Sequence, residues 1–249
     1  MSGHSKWSTI KRKKELNDSK RGKIFTRLLR EVTVAARLGG GDADGNPRLR
    51  AAIQDARANN VPSDTIDRAT KKGTGELEGM TLEEVTYEGY GPGGVAVLIE
   101  AMTDNRNRTV SEVRHVFSKY GGNLGETGCV GWMFEKRGYF VVEPDAMDEE
   151  AFMELAVEIG ADDIAIDKGG CEIFTTPGDY NAVKDALAER QIPVAVGELA
   201  MVPQNYVVLA EERVPTILRL MEALEDLDDV QSVWANFDAD PNVLESQAA

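Results

Sequence analysis

The chain has 249 residues, 42% of them apolar and 29% charged, with a formal net charge of −15. That is enough apolar material for two or three domains, while no apolar run approaches the eighteen or more residues of a membrane span. Two cysteines without CxxC spacing and two histidines exclude a disulfide framework and argue against a Cys/His zinc site, so a cytoplasmic protein is expected.

The charge is unevenly distributed. Residues 1–72 carry 17 Lys/Arg against 8 Asp/Glu, a balance of +9; the other 177 residues carry 11 against 35, or −24. A chain of this kind meets a polyanion with one end and stays soluble with the other. The basic N-terminus has no apolar stretch after it, so it does not read as a secretory signal. Lys11, Arg12, Lys13 and Lys14 form an unpaired cationic run just upstream of a helical pattern over 20–38. There Ile24, Leu28, Val32 and Ala35 recur at helical spacing, and Lys20, Lys23, Arg27, Arg30 and Arg37 fall on the opposite face. That face is expected to be offered to solvent. Ahead of it, His4, Lys6 and Trp7 form a terminal motif in which the indole can stack on a base and the ammonium meet a phosphate.

Gly39-Gly40-Gly41 ends the basic helix. Asn46 then caps a second helix with Pro47 at its first position, and Ser63 is the expected cap of a third that runs through Lys72. Beyond Gly73 the period changes from helix to strand. Strands at Val85–Tyr87 and Val95–Ile99 flank GYGPGG, residues 89–94. These glycines have the spacing of a dinucleotide-binding loop, but the loop leads into a β-branched run instead of a helix, so a hairpin turn is expected. A helix over 108–120 follows, capped by Thr109 with Glu112 or by Asn107, then a strand over 130–134.

Residues 139–202 alternate as strand, helix, strand, strand, helix, strand, the order of a ferredoxin-like split βαβ unit. The stretches 206–209, 214–227 and 230–237 supply the missing half of a second such unit begun at 94–135, with the Val85 strand as an extra edge. The expected fold is therefore α+β: an N-terminal three-helix domain plus two ferredoxin-like βαββαβ domains, one inserted in the other. The expected boundaries are 1–76, 77–136 with 204–240, 137–203 inserted, and a tail at 241–249; the stretch after Asn236 is acidic and expected to be frayed.

Arg106 and Arg108 flank Asn107 just before an expected helix N-terminus, where two guanidinia and free backbone N–H groups can converge on an anion. Pairing with the protein's own carboxylates is the equal alternative. The acidic run Glu222, Glu225, Asp226, Asp228 and Asp229 reads as a solvated face. No nucleophile–base set and no metal cluster appears, so neither enzymatic activity nor a cofactor is expected. A small-molecule sensor built at a seam between ferredoxin-like units is a remoter reading.

Several motifs together carry a family resemblance: GHSKW at 3–7, RGK at 21–23, NPRLR at 46–50, YEGYGPGGVA at 87–96, TDNRNRT at 103–109, VRHVFSKYGGNLG at 113–125 and ALEDLDDVQ at 223–231. The sequence resembles the YebC family, which includes the PmpR-type regulators and the mitochondrial translational activator of cytochrome c oxidase I. Arg12 stands where many relatives have histidine. The resemblance implies a three-domain, non-catalytic regulator of gene expression with nucleic acid as its partner. That partner is DNA for the members described as transcriptional regulators, or ribosomal RNA and the ribosome for those acting in translation. No helix-turn-helix and no paired aromatics of an RNA-binding sheet are recognisable, so contacts mainly to phosphates are expected. The oligomeric state is left open.

Overall fold

A computed structural model describes residues 18–79, 81–142, 148–167 and 170–248. The first unit is three helices, α1 (Asp18–Gly39), α2 (Pro47–Ala58) and α3 (Ser63–Gly73). Val32, Ala35 and Ala36 of α1 pack against Leu49, Ala52 and Ala56 of α2 and Ile66 and Ala69 of α3. The side chains here are small, so the helices approach closely. At Gly73 a Cβ would collide with the Thr33 carbonyl and the Ala36 methyl. Asn46 caps α2 as expected, its Oδ1 accepting from Leu49 N at 3.1 Å. Its Nδ2 donates to the Ala35 and Gly40 carbonyls at 2.8 and 2.9 Å, tying the end of α1 to the start of α2. Ser63 does not cap α3: Pro62 holds that position and Ser63 is the first helical residue.

The first sheet has the order β3-β1-β2-β9, with β1 (Glu83–Tyr90), β2 (Ala96–Thr103), β3 (Asn123–Leu124) and β9 (Val230–Ala235). GYGPGG is the β1–β2 hairpin turn: Gly91 N donates to Val95 O at 2.8 Å, and Gly93 and Gly94 take φ of 81° and 79°. β2 is buried on both faces. Val95, Val97 and Ile99 pack under α4 (Arg106–Lys119) and α7 (Val214–Glu225), against Phe117, Ile217 and Met221.

The second sheet, β5-β6-β4-β7, uses β4 (Phe134–Val142), β5 (Asp163–Asp167), β6 (Gly170–Thr175) and β7 (Val194–Pro203). All its pairings are antiparallel. With α5 (Glu149–Ile159) and α6 (Tyr180–Glu189) on one face, it has the strand order of a ferredoxin-like unit. Its other face lies back to back on the first sheet: Tyr139, Val141, Val196 and Ala200 share one buried cluster with Ala96, Leu98 and Trp234. The two sheets are thus sandwiched between two helix pairs.

The first sheet is completed differently from the sequence expectation. Residues 130–134 do not form a strand there; Gly131–Met133 is a 3-10 turn and Phe134 already belongs to β4. The reason lies in β1. The buried Glu88 carboxylate accepts from the backbone N–H groups of Gly128, Val130 and Gly131 at 2.7, 2.7 and 2.6 Å, drawing them away from any ladder. β1 is not the edge, since β3 pairs outside it. β8 (Val207–Val208) pairs in parallel with β10 (Phe237–Asp238) in a separate ribbon. The C-terminal stretch is not frayed over 237–248. Phe237 and Leu244 are fully buried in the core between the first sheet and its helices, and α8 (Pro241–Ala248) lies over α7.

Candidate nucleic-acid interface

His4, Lys6, Trp7, Lys11, Arg12, Lys13 and Lys14 lie outside the described residues, as does the Lys20 side chain. The remaining cations of α1 are placed. Lys23, Arg27 and Arg30 stand opposite the apolar stripe, as the spacing requires, but the face they form is covered. The C-terminal end of α7 and the turn after it run along them. Lys23 Nζ donates to Asp226 O and Oδ1, both at 3.0 Å. Arg27 donates to the Glu225 carbonyl and Arg30 to the Asp228 carbonyl. These carbonyls close the negative end of α7, which favours cations there. Arg37 is exposed, with no ion pair among the described residues.

Asp229 is the hub of this seam, and it is 2% exposed. Its Oδ1 meets Arg30 Nη2 at 3.0 Å and its Oδ2 meets Arg108 Nη2 at 2.6 Å. The hydroxyls of Thr103 and Thr109 lie 3.0 and 2.7 Å from the same Oδ2. One carboxylate therefore joins α1, the end of β2 and the first turn of α4. Burial opposes its ionisation, but Arg108, the two hydroxyls and Arg30 outweigh burial and hold its pKa below the ordinary value.

Asn105, not Asn107 or Thr109, caps α4, accepting from Arg108 N at 3.1 Å. Arg106 and Arg108 are consequently inside the first turn, and both are paired with the protein's own carboxylates. Arg106 meets Glu83 at 2.5 Å; Arg108 meets Asp104 at 2.8 Å as well as Asp229. A cleft of about 500 Å³ opens beside them, lined by Arg30, Arg108, Asp104, Glu112 and Asp226 to Asp229. Carboxylates outnumber guanidinia there, so it does not attract an anion. Among the described residues no cluster of His, Cys, Asp or Glu is arranged to hold a metal ion, and no helix is long and apolar enough to cross a membrane.

A second joint was not legible in the sequence. Arg48 of α2 bridges Glu31 of α1 at 2.7 Å and Glu84 of β1 at 2.6 Å. Next to it Glu100 of β2 is raised in pKa by burial and by Glu84 and Glu31, against the pull of Lys136 and Arg48. A carboxylate with a raised folded pKa costs stability above that pKa and stops costing it below the ordinary value. Glu100→Gln should therefore raise the melting temperature at pH 7, with the gain fading as pH falls towards 4. Scanning calorimetry at both pH values checks this; a gain that persists unchanged at low pH would exclude the electrostatic cause.

The signal for Asp229 was present but ambiguous. It ends the acidic run read as solvated, and Asp226 and Asp228 in that run are indeed exposed. Only the fold shows that the last carboxylate turns inward.

Residues 5–76 match the family model described as the TACO1/YebC protein N-terminal domain, and residues 82–237 match the TACO1/YebC second and third domain. The chain is 56% identical over its whole length to a protein of Syntrophus aciditrophicus named "probable transcriptional regulatory protein", and all of that protein is covered. A protein of the same description from Geobacter sulfurreducens is 55% identical, covering 98% of this chain and 99% of its own length. The crystal structure of a conserved hypothetical protein from Aquifex aeolicus superposes with a TM-score of 0.80 at 49% identity, covering 90% of this chain and 92% of that one. In its sequence motifs, its helical head and its paired sheets, the chain belongs to the TACO1/YebC family of regulatory proteins.

Proposed function

We propose that this regulator acts by binding nucleic acid through the cations of its helical unit and the basic segment before it. The observation that carries the reading is the charge partition, +9 over residues 1–72 against −24 over the rest, with part of the positive share on α1 to α3, which have their own small core. Lys6, Lys11 to Lys14, Lys20 and Arg37 are the proposed phosphate contacts, with Lys23 and Arg27 available once the α7 turn leaves them. His4 and Trp7 add stacking, and sequence reading is secondary. The acidic remainder keeps the protein in solution and limits the contact to one end. Cytoplasmic location and a non-catalytic role are parts of the same proposal.

Affinity for a short DNA duplex should fall steeply with salt, by about 0.9 log units per log unit of salt for each neutralised phosphate. Lys11→Gln, Lys13→Gln and Lys14→Gln together should reduce that slope by about 2 to 3. Fluorescence anisotropy across a salt series measures it, and an unchanged slope would remove this segment from the interface. Crosslinking in cells with sequencing of the bound strands then assigns the target. Genomic DNA supports the transcriptional role. A predominance of ribosomal RNA makes the chain a ribosome-associated translation factor.

A further inference from the structure

The seam between α1 and the turn after α7 has features of a displaceable contact. Lys23, Arg27 and Arg30 bind backbone carbonyl and carboxylate oxygens there, as they would bind phosphate oxygens. The outer pair is accessible to water, with Lys23 43% and Asp226 64% exposed. Such a pair contributes little stability and is screened by salt. Apolar support is slight: the buried cluster joining α1 to the first sheet is Val34 with Leu82 and Met102. A cleft of about 170 Å³ between Gly22, Thr26, Arg27 and Asp228 leaves the flank of the contact open. At the inner end the contact is of another kind, because Arg30 and Asp229 are 19% and 2% exposed and share the Arg108–Thr103–Thr109 network.

We propose that the 225–229 turn is an internal competitor for the basic face of α1. It occupies Lys23 and Arg27 until a nucleic-acid backbone displaces it, and the helical unit then swings about the Arg30–Asp229 pair, giving up the water-exposed Arg48–Glu84 bridge. This rests on the nucleic-acid reading above and adds a closed state to it. In that state the protein screens part of its own binding face, so weak polyanions are rejected and only a ligand engaging several cations at once opens the seam.

The test uses the full chain with Thr26→Cys and Asp228→Cys, in a Cys129→Ser background that leaves only the buried Cys171. A short bis-maleimide joins the two new thiols across the cleft. Binding to a short DNA duplex and a short RNA strand is compared before and after bridging. The bridged form should bind roughly tenfold more weakly, within the usual range of coupling between two sites. In the other direction, Asp226→Asn with Asp228→Asn should bind more tightly than the natural chain and show a larger radius of gyration in solution scattering. Equal affinity of bridged and unbridged protein overturns the competitor role, as does a double Asn variant that neither tightens nor opens. Absence of binding by every form, the natural chain included, overturns the nucleic-acid reading itself and the competitor with it.

Discussion

Asp229→Ala should lower the stability of the folded chain by about 3 kcal/mol. Removing one partner of a buried ion pair costs about 3–5 kcal/mol, because the charge left behind has lost its counter-ion in a place where water cannot replace it. The lower end applies here. Arg108 is 43% exposed and can be rehydrated, whereas Arg30, 19% exposed, cannot fully recover. The buried Thr103 hydroxyl would also lose its Asp229 acceptor, whereas the Thr109 hydroxyl keeps the Asn105 carbonyl at 3.1 Å. Asp229→Asn keeps the shape and one acceptor oxygen and should cost less. Urea unfolding at pH 7 measures both, and a loss under about 1 kcal/mol for the Ala variant would show that the network is only a surface feature.

Glu88→Ala should cost a comparable amount, about 2–4 kcal/mol, for a different reason. Among the described residues no charge partner is left unpaired. Instead three backbone N–H groups lose their acceptor, and that of Val130 is buried. The turn over 128–133 would loosen, and with it Trp132 and Tyr90, whose Nε1 and Oη both donate to Cys129 O at 3.2 and 3.1 Å. Trp132 fluorescence, 65% exposed as it starts, should therefore change before global unfolding. Burial opposes ionisation of Glu88, yet the three donors hold its pKa below the ordinary carboxylate value, as Arg108, the hydroxyls and Arg30 do for Asp229. Both carboxylates contribute stability that is fully present above the ordinary pKa of about 4 and is lost as pH falls through the depressed folded values. The stability gap between the natural chain and Asp229→Asn or Glu88→Gln should thus narrow below pH 4. A gap constant down to pH 2 would mean that hydrogen-bond geometry, not ionisation, carries the effect.

What could be read from the sequence was what depends on neighbours. Asn46-Pro47 announces α2 because capping involves residues three apart, and GYGPGG announces a hairpin because its glycines supply the turn's positive φ. The 139–202 unit was legible because all of its strands and helices are contiguous. What was misplaced depends on distant partners. Residues 130–134 have the composition of a strand, but the backbone donors of Val130 and Gly131 are claimed by Glu88, some forty positions earlier. Lys23, Arg27 and Arg30 were put on the correct face of α1, yet the oxygens that cover them come from about two hundred residues away. Phe237 and Leu244 looked like a tail because two apolar residues among acids carry no periodicity. Arg106 and Arg108 could be weighed but not decided, since Glu83, Asp104 and Asp229 were all available by sequence.

The order in which the strands leave the ribosome has a cost that the finished fold conceals. Residues 134–203 contain every strand of the second sheet, so that sheet can close as soon as it is synthesised. The β1–β2 hairpin comes first but must wait for β9 and α7, made more than a hundred residues later, before Val97 and Ile99 are fully covered. At about 5–20 residues per second that wait is on the order of ten seconds. During it the Val97 and Ile99 face of the strand has only α4 to cover it, next to an already folded neighbour. Chains ending before Val230 never leave that condition, so truncated products should be substrates for chaperones and proteases instead of partly active fragments.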